Sequence, residues 1–282
     1  MSKTTYKTDL AVMHPVRIRP GEGLTFRLKL WHALPILIFC IFYSSFGFAA
    51  VNPGQLSSFE TLVKWMPLLF KGFGFNLLIS VMAMAIGTAV GVGLGLGQIS
   101  LNKFLSKISW FITQFYRNSP WLVLLFFAMF LLPFEFHIAG LKIPLPDWVK
   151  ATFGLSLPVM ANVSEIVRGA VISLPSGQWE AAESLAYTRR QILWLIILPQ
   201  CVKRMLPPWM NLYSILTMAT VLASIVGVSE VMTLTGRVLS SEGGRADLLA
   251  PFYSFVLLLF FVYCYPIARW TVYLEKKFAV KG

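Results

Sequence analysis

The chain has 282 residues, of which 57% are hydrophobic and 13% charged, and its formal net charge is +12. Soluble domains carry about 25% charged residues, so an ordinary soluble enzyme or scaffold is excluded. The long apolar runs fit one polytopic membrane domain, and the positive charge must be read by where it falls rather than as a nucleic-acid signal.

Residues 1–29 hold six Lys or Arg against Asp9 and Glu22, with Pro15 and Pro20, which predicts a basic, weakly structured tail. Trp31 to Ala50 is an apolar run of spanning length. Its core is too long for a cleaved signal, and Phe48 fits poorly beside a small-residue cleavage site. Asn52 to Lys71 reads as a polar connection with an interfacial Trp65, and Phe73 to Gln98 as the second span. Gly87, Gly91 and Gly95 recur four apart in that span, a pattern that lets helices approach closely. A dinucleotide-binding loop would need a strand before it.

Leu101 to Ser119, with Lys103, Lys107 and Arg117, predicts a short interfacial helix before a third span from Pro120 to about Pro133. Glu135 to Lys150 reads as a loop and Ala151 to Leu174 as the fourth span, interrupted by Pro158. The stretch Gly177–Pro199 predicts two short helices, Gln178–Leu185 and Thr188–Leu198, with Thr188 as N-cap of the second. Pro207-Pro208 then opens a fifth span, Trp209 to Val228, because Pro suits a first helical turn. Ser229 to Leu249 reads as a polar loop and Ala250 to Trp270 as the sixth span.

Six spans place both termini on one side. That side then carries 18 Lys and Arg against 6 opposite, so both tails and the Gly177–Pro199 loop are assigned to the cytoplasm. The fold class expected is all-α and polytopic, with six transmembrane helices and a cytoplasmic two-helix loop.

Chemistry is sparse. Cys40, Cys201 and Cys264 and His14, His32 and His137 show no metal-ligand spacing, and neither a Ser-His-Asp set nor a phosphate-binding loop is present. In the fourth span Asn162, Glu165 and Gly169 share a helical face, and Arg168 lies three residues from Glu165. Arg168 fits a structural pair with Glu165, while Asn162 and Glu165 either line a cavity or pack. In the fifth span Thr217, Thr220, Ser224 and Gly227 share a face if the helix stays regular. Such hydroxyls line a hydrated path or merely bond to backbone carbonyls. In the cytoplasmic loop, Ala181, Ala182, Leu185 and Ala186 make a shallow apolar surface bordered by Glu180 and Glu183, suited to a partner's groove.

Glu180-Ala181-Ala182, three residues, Ala186, nine residues and Ile196-Ile197-Leu198-Pro199 resemble the EAA loop of bacterial ABC importer permeases. Tyr116-Arg117-Asn118-Ser119-Pro120, Glu165-Ile166-Val167-Arg168, Leu174 to Trp179 and Leu222 to Glu230 are similar to segments of the polar amino acid uptake branch. The resemblance covers roughly residues 73–278. It implies a permease domain there, with EAA loop 177–199, preceded by a basic tail (1–29) and an extra helix with its periplasmic connection (30–72).

By resemblance, the chain is a multi-pass inner-membrane subunit, not itself an enzyme, of an importer for an amino acid or similar small zwitterion. It would bind no cofactor, since ATP sits on separate ATP-binding cassette subunits. The other implied partners are a second permease chain, identical or related, a periplasmic solute-binding protein and the lipid bilayer, with no nucleic acid. Gly177, Glu180, Ala181, Ala182, Ala186 and Pro199 would couple the ATPase to the spans, and Asn162, Glu165, Thr217, Thr220 and Ser224 would line the path.

Three departures stand out: Ala186 replaces a usual Gly, Asn162 a common Tyr, and Met218-Ala219 a frequent Lys-Asp or Lys-Asn pair. If the bend at 186 needs positive φ, Ala there costs about 1–2 kcal/mol. Another solute, such as an opine, remains open. So does a self-sufficient channel or secondary transporter, although no internal repeat supports one.

Overall fold

The computed structural model describes residues 56–138 and 141–278, all of which fall in one compact unit. The basic tail and the first expected span lie outside the described residues.

Helix α1 (Ser58–Gln98) is 41 residues long, or about 61 Å at 1.5 Å per residue, about twice the hydrocarbon thickness of a bilayer. It begins well before Phe73 because Ser57 and Glu60 form a capping box that starts the helix inside the stretch expected to be connection. Helix α2 (Lys103–Arg117) follows, capped by the Asn102 side chain, and then α3 (Trp121–Leu131). The expected loop after it contains an antiparallel hairpin, β1 (Glu135–Ile138) and β2 (Leu141–Pro144). Helix α4 (Asp147–Ile172) accommodates Pro158.

Helix α5 (Ser176–Ser184) leads to a turn at Ala186, and α6 (Arg189–Gln191) starts on a Thr188–Gln191 capping box. The second short helix does not end at Leu198. It runs through a π-helical turn (Ile192–Ile197) into α7 (Leu198–Ala219), with Pro199 in the first turn of α7 and Pro207-Pro208 inside it. The two prolines therefore do not open the fifth span. They remove two backbone donors from a helix already under way, a loss membrane helices tolerate.

A 3-10 segment (Thr220–Ser224) ends α7. The expected polar loop after it holds α8 (Val231–Ser241) and a 3-10 turn (Ala246–Leu248), before α9 (Leu249–Phe278). Among the described residues three helices are long and apolar enough to cross a membrane: Ser58–Gln98, Asp147–Ile172 and, with its preceding turn, Ala246–Phe278.

The α1–α4 pair is the most extensive contact in the fold. The glycine row makes it possible. A Cβ on Gly87 would lie 2.5 Å from Val159 Cγ1, one on Gly91 2.6 Å from the Met160 carbonyl, and one on Gly95 2.7 Å from Val167 Cβ. Gly93, on the other side of the helix, has open space. Inside lipid the hydrophobic effect does not drive helix association, so such contact-distance packing carries the interface. Ile79, Ala83, Leu125, Leu155, Val159 and Leu216 fill the core beside it. A second cluster, including Leu69, Phe73, Val231, Leu248 and Phe252, packs α1 against α8 and α9. The many exposed apolar side chains, Phe70, Val81, Phe130, Leu257 and Val262 among them, suit a hydrocarbon surrounding.

Candidate functional site

A cavity of about 510 Å³ opens between the end of α2, the second half of α4 and α7, lined by residues including Arg117, Asn162, Glu165, Gly169, Arg204 and Asn211. Asn162, Glu165 and Gly169 thus share a cavity wall. Glu165 is largely buried and does not stand alone. Arg168 donates to its Oε2 from Nε at 3.2 Å and from Nη2 at 2.9 Å, and Gln114 donates to its Oε1 at 3.2 Å. Arg117 lies 3.5 Å from Oε2. The carboxylate is therefore held between two guanidinium groups, which offsets the cost of placing it in a low-dielectric span. Asn162 donates from Nδ2 to the Pro158 carbonyl at 2.8 Å, one turn back on its own helix. Arg204 donates to the carbonyl and hydroxyl of Ser173, tying α7 to the end of α4.

The hydroxyl row of the fifth span is arranged differently from the expectation. The shared face assumed a regular helix, but α7 stops at Ala219 and the tighter 3-10 winding moves Thr220 and Ser224 out of line. Thr217 and Thr220 are fully buried and donate to the carbonyls of Tyr213 and Thr217; Ser224 donates to Val221. The open face of α7 carries Asn211, Ile215 and Met218 instead.

Thr220 belongs to a buried polar group that the sequence reading missed. Asn76 donates from Nδ2 to Thr220 Oγ1 at 3.0 Å and to Glu230 Oε2 at 2.9 Å, while its Oδ1 accepts from the Val231 amide at 3.1 Å. Glu230 also accepts from the Met232 and Thr233 amides, at 3.0 and 2.9 Å, capping α8. All three side chains are fully buried. Two signals in the sequence point to this group: Asn76 is a lone amide in an apolar run, and Glu230 sits at the N-cap position before one.

In the cytoplasmic-loop candidate, Glu180, Ala181, Leu185 and Ala186 are exposed, Leu185 by 73%. Ala182 is not part of that surface. At 3% exposure it packs inward with Ile192, Ile197 and Cys201, the contact that holds α5 against the π-helical turn. Ala186 has φ +60°, the left-handed conformation, and is the one non-glycine residue with positive φ among those described. The amides of Ala186 and Tyr187 bond back to the carbonyls of Glu183 and Ala182, closing α5. Gly177 is exposed with open space around it, and Pro199 is exposed in the first turn of α7.

Residues 87–280 match the family model described as "Binding-protein-dependent transport system inner membrane component". The chain is 33% identical over 217 residues to the probable amino-acid ABC transporter permease protein YckA of Bacillus subtilis, covering 77% of this chain and 92% of YckA. It is 32% identical over 173 residues to the inner membrane amino-acid ABC transporter permease protein YhdY of Escherichia coli, covering 58% of this chain and 44% of YhdY. Its fold matches a chain of the crystal structure of an amino acid ABC transporter with histidines. The TM-score there is 0.67 at 22% identity, and the match covers 79% of this chain and all of the other. The chain belongs to the family of inner-membrane components of binding-protein-dependent transport systems.

Proposed function

We propose that the chain is the permease subunit of an ATP-driven importer that moves an amino acid or similar small zwitterion across a bacterial inner membrane. In this reading the described helices and the preceding apolar run make six spans with both termini cytoplasmic. Residues 1–29 form a basic tail, 30–57 an added helix and its connection, and the permease domain starts with α1 at Ser58. ATP is hydrolysed by separate cassette subunits, a second permease chain completes the membrane part, and a periplasmic binding protein delivers the solute. The relatives' names support the solute class. Asn162 and Glu165 are proposed to line the path, through the cavity between α4 and α7.

The observation that carries the reading is the build of the loop at 177–199. Helix α5 presents Glu180, Ala181 and Leu185 outward, Ala182 anchors it, and α6 continues without a break into α7. A push on α5 is therefore delivered to a spanning helix as a rigid-body movement, the kind of motion that rocks one bundle against another. Replacing Glu180 by Lys and Ala186 by Trp together should abolish uptake and loss of the ATPase should follow on co-purification, with membrane insertion intact. Retained transport in that double variant would remove the coupling role.

A further inference from the structure

A second cavity, of about 650 Å³, opens at the other end of the fold, between α1, the start of α4 and the turn that precedes α8. Its lining includes Lys71, Phe75, Asp147, Trp148, Gly227 and Ser229. Resting on the importer reading above, we infer that this cavity is an outer binding site for a zwitterionic amino acid, separate from the cavity that holds Glu165.

Three features support it. First, Lys71 and Asp147 bring opposite charges to one cavity from different helices, and no hydrogen bond or ion pair of Lys71 is present among the described residues. Second, Asp147 is held from behind. The Lys150 ammonium is fully buried, 3.5 Å from Asp147 Oδ1 and 3.6 Å from the centre of the Phe134 ring, and it makes no hydrogen bond. That cation sits beside one carboxylate oxygen, while Asp147 itself stays half exposed. Third, Phe75 and Trp148 meet edge to face with ring centres 5.9 Å apart, making a stiff apolar wall. Gly227, Val228, Ser229 and Leu234 complete the lining. Gly227, at φ +90°, turns the chain there with no side chain, and Glu230 holds the following residues through its bonds to α8.

A cavity of this size with few polar groups on an apolar lining is the usual form of a small-molecule site. Lys71 takes the ligand carboxylate, Asp147 the ammonium, and the aromatic pair the side chain. The arrangement asks for both charges on one small solute, so blocking either end of an amino acid removes half of the recognition.

The test uses the full chain in lipid nanodiscs without its partners, probed with radiolabelled L-amino acids and with their N-acetyl and amide derivatives. Binding of at least one unmodified amino acid is expected, with both blocked forms weakened about tenfold, as loss of a charge-assisted bond implies. Lys71→Met should weaken binding by the same factor, whereas Lys142→Met, an exposed outer lysine that does not line the cavity, should leave it unchanged. Asp147→Asn tests the other arm, and Lys71→Met remains decisive if the Asn variant unfolds around Lys150. Absence of binding by every unmodified amino acid, or binding unaffected in Lys71→Met, overturns the site. Uptake by the assembled transporter is measured separately. No uptake of any amino acid with nanodisc binding intact would sink the importer reading and leave the outer site standing.

Discussion

Asn76 and Glu230, 154 positions apart, meet through a 2.9 Å hydrogen bond in a fully buried setting. The bond joins α1 to the N-terminus of α8, and through Thr220 it reaches the 3-10 end of α7. A buried carboxylate with no cation against it among the described residues is held here by amide donors and the positive end of a helix. Asn76→Ala would leave the Val231 amide without its partner and take one of the two donors from Glu230 Oε2, costing about 2–4 kcal/mol. The thermal midpoint of the detergent-purified protein measures it, and Asn76→Asp, which sets two carboxylates together, should fall lower still.

The glycine row gives a paired prediction. Gly91→Ala drives a Cβ to 2.6 Å from the Met160 carbonyl, while Gly93→Ala meets nothing within 4 Å. The first should destabilise by about 1–3 kcal/mol, whereas the second, relieved of glycine's entropic cost with no clash, should hold or raise the midpoint. Equal midpoints for the two would mean that α1 and α4 do not lie as close as described.

At Ala186 the direction reverses. With φ at +60° the residue bears a left-handed strain of about 1–2 kcal/mol, which Gly relieves at some entropic cost. Ala186→Gly should raise the midpoint slightly and keep transport, and Ala186→Val should lower both. A lowered midpoint for the Gly variant would contradict the observed turn.

Accessibility separates the two faces of α7. Single cysteines at 211, 215 and 218 should react with small hydrophilic thiol reagents, and those at 217 and 220 should stay inert, since Thr217 and Thr220 have no exposed surface. The reverse pattern would restore the hydroxyl row as the path. Labelling read by mass spectrometry decides it.

The brace at the start of α1 should be sensitive to acid. The Trp65 indole donates to Glu242 at 2.7 Å and Lys64 at 3.0 Å, and together they hold that carboxyl below its ordinary value. Its folded value being depressed, the contribution is complete above the unfolded pKa of about 4.3 and is lost as pH falls through the folded one. Trp65→Phe should flatten the fall of the midpoint between pH 5 and about pH 3.

Much of this was legible. Apolar length gave α4 and α9, spacing gave the glycine interface, and Thr188 was a readable cap. The misreadings share a cause: local signals were overruled by what the chain meets in three dimensions. Pro207-Pro208 carries a start signal, yet α7 was already running from Leu198. The hydroxyl row assumed 100° per residue across a stretch where the winding tightens. Ala182 was counted with its exposed neighbours, although Ile192 and Ile197, ten and more residues on, turn it inward. Glu230 looked like a loop residue because Asn76, its partner, is distant in the chain.

The π-helical turn at Ile192–Ile197 has one more consequence. A π turn holds an extra residue within an otherwise α-helical rod, so the angle at which α5 leaves α7 is set by chain length as well as by side chains. Substitution can change the chemistry of the loop and leave that angle intact. Deleting one residue from 192–197 would instead turn everything before it by about 100°, aiming the face that carries Glu180 and Leu185 away from its partner. The loop should therefore bear substitution within the turn better than insertion or deletion: the turn acts as a phase lock.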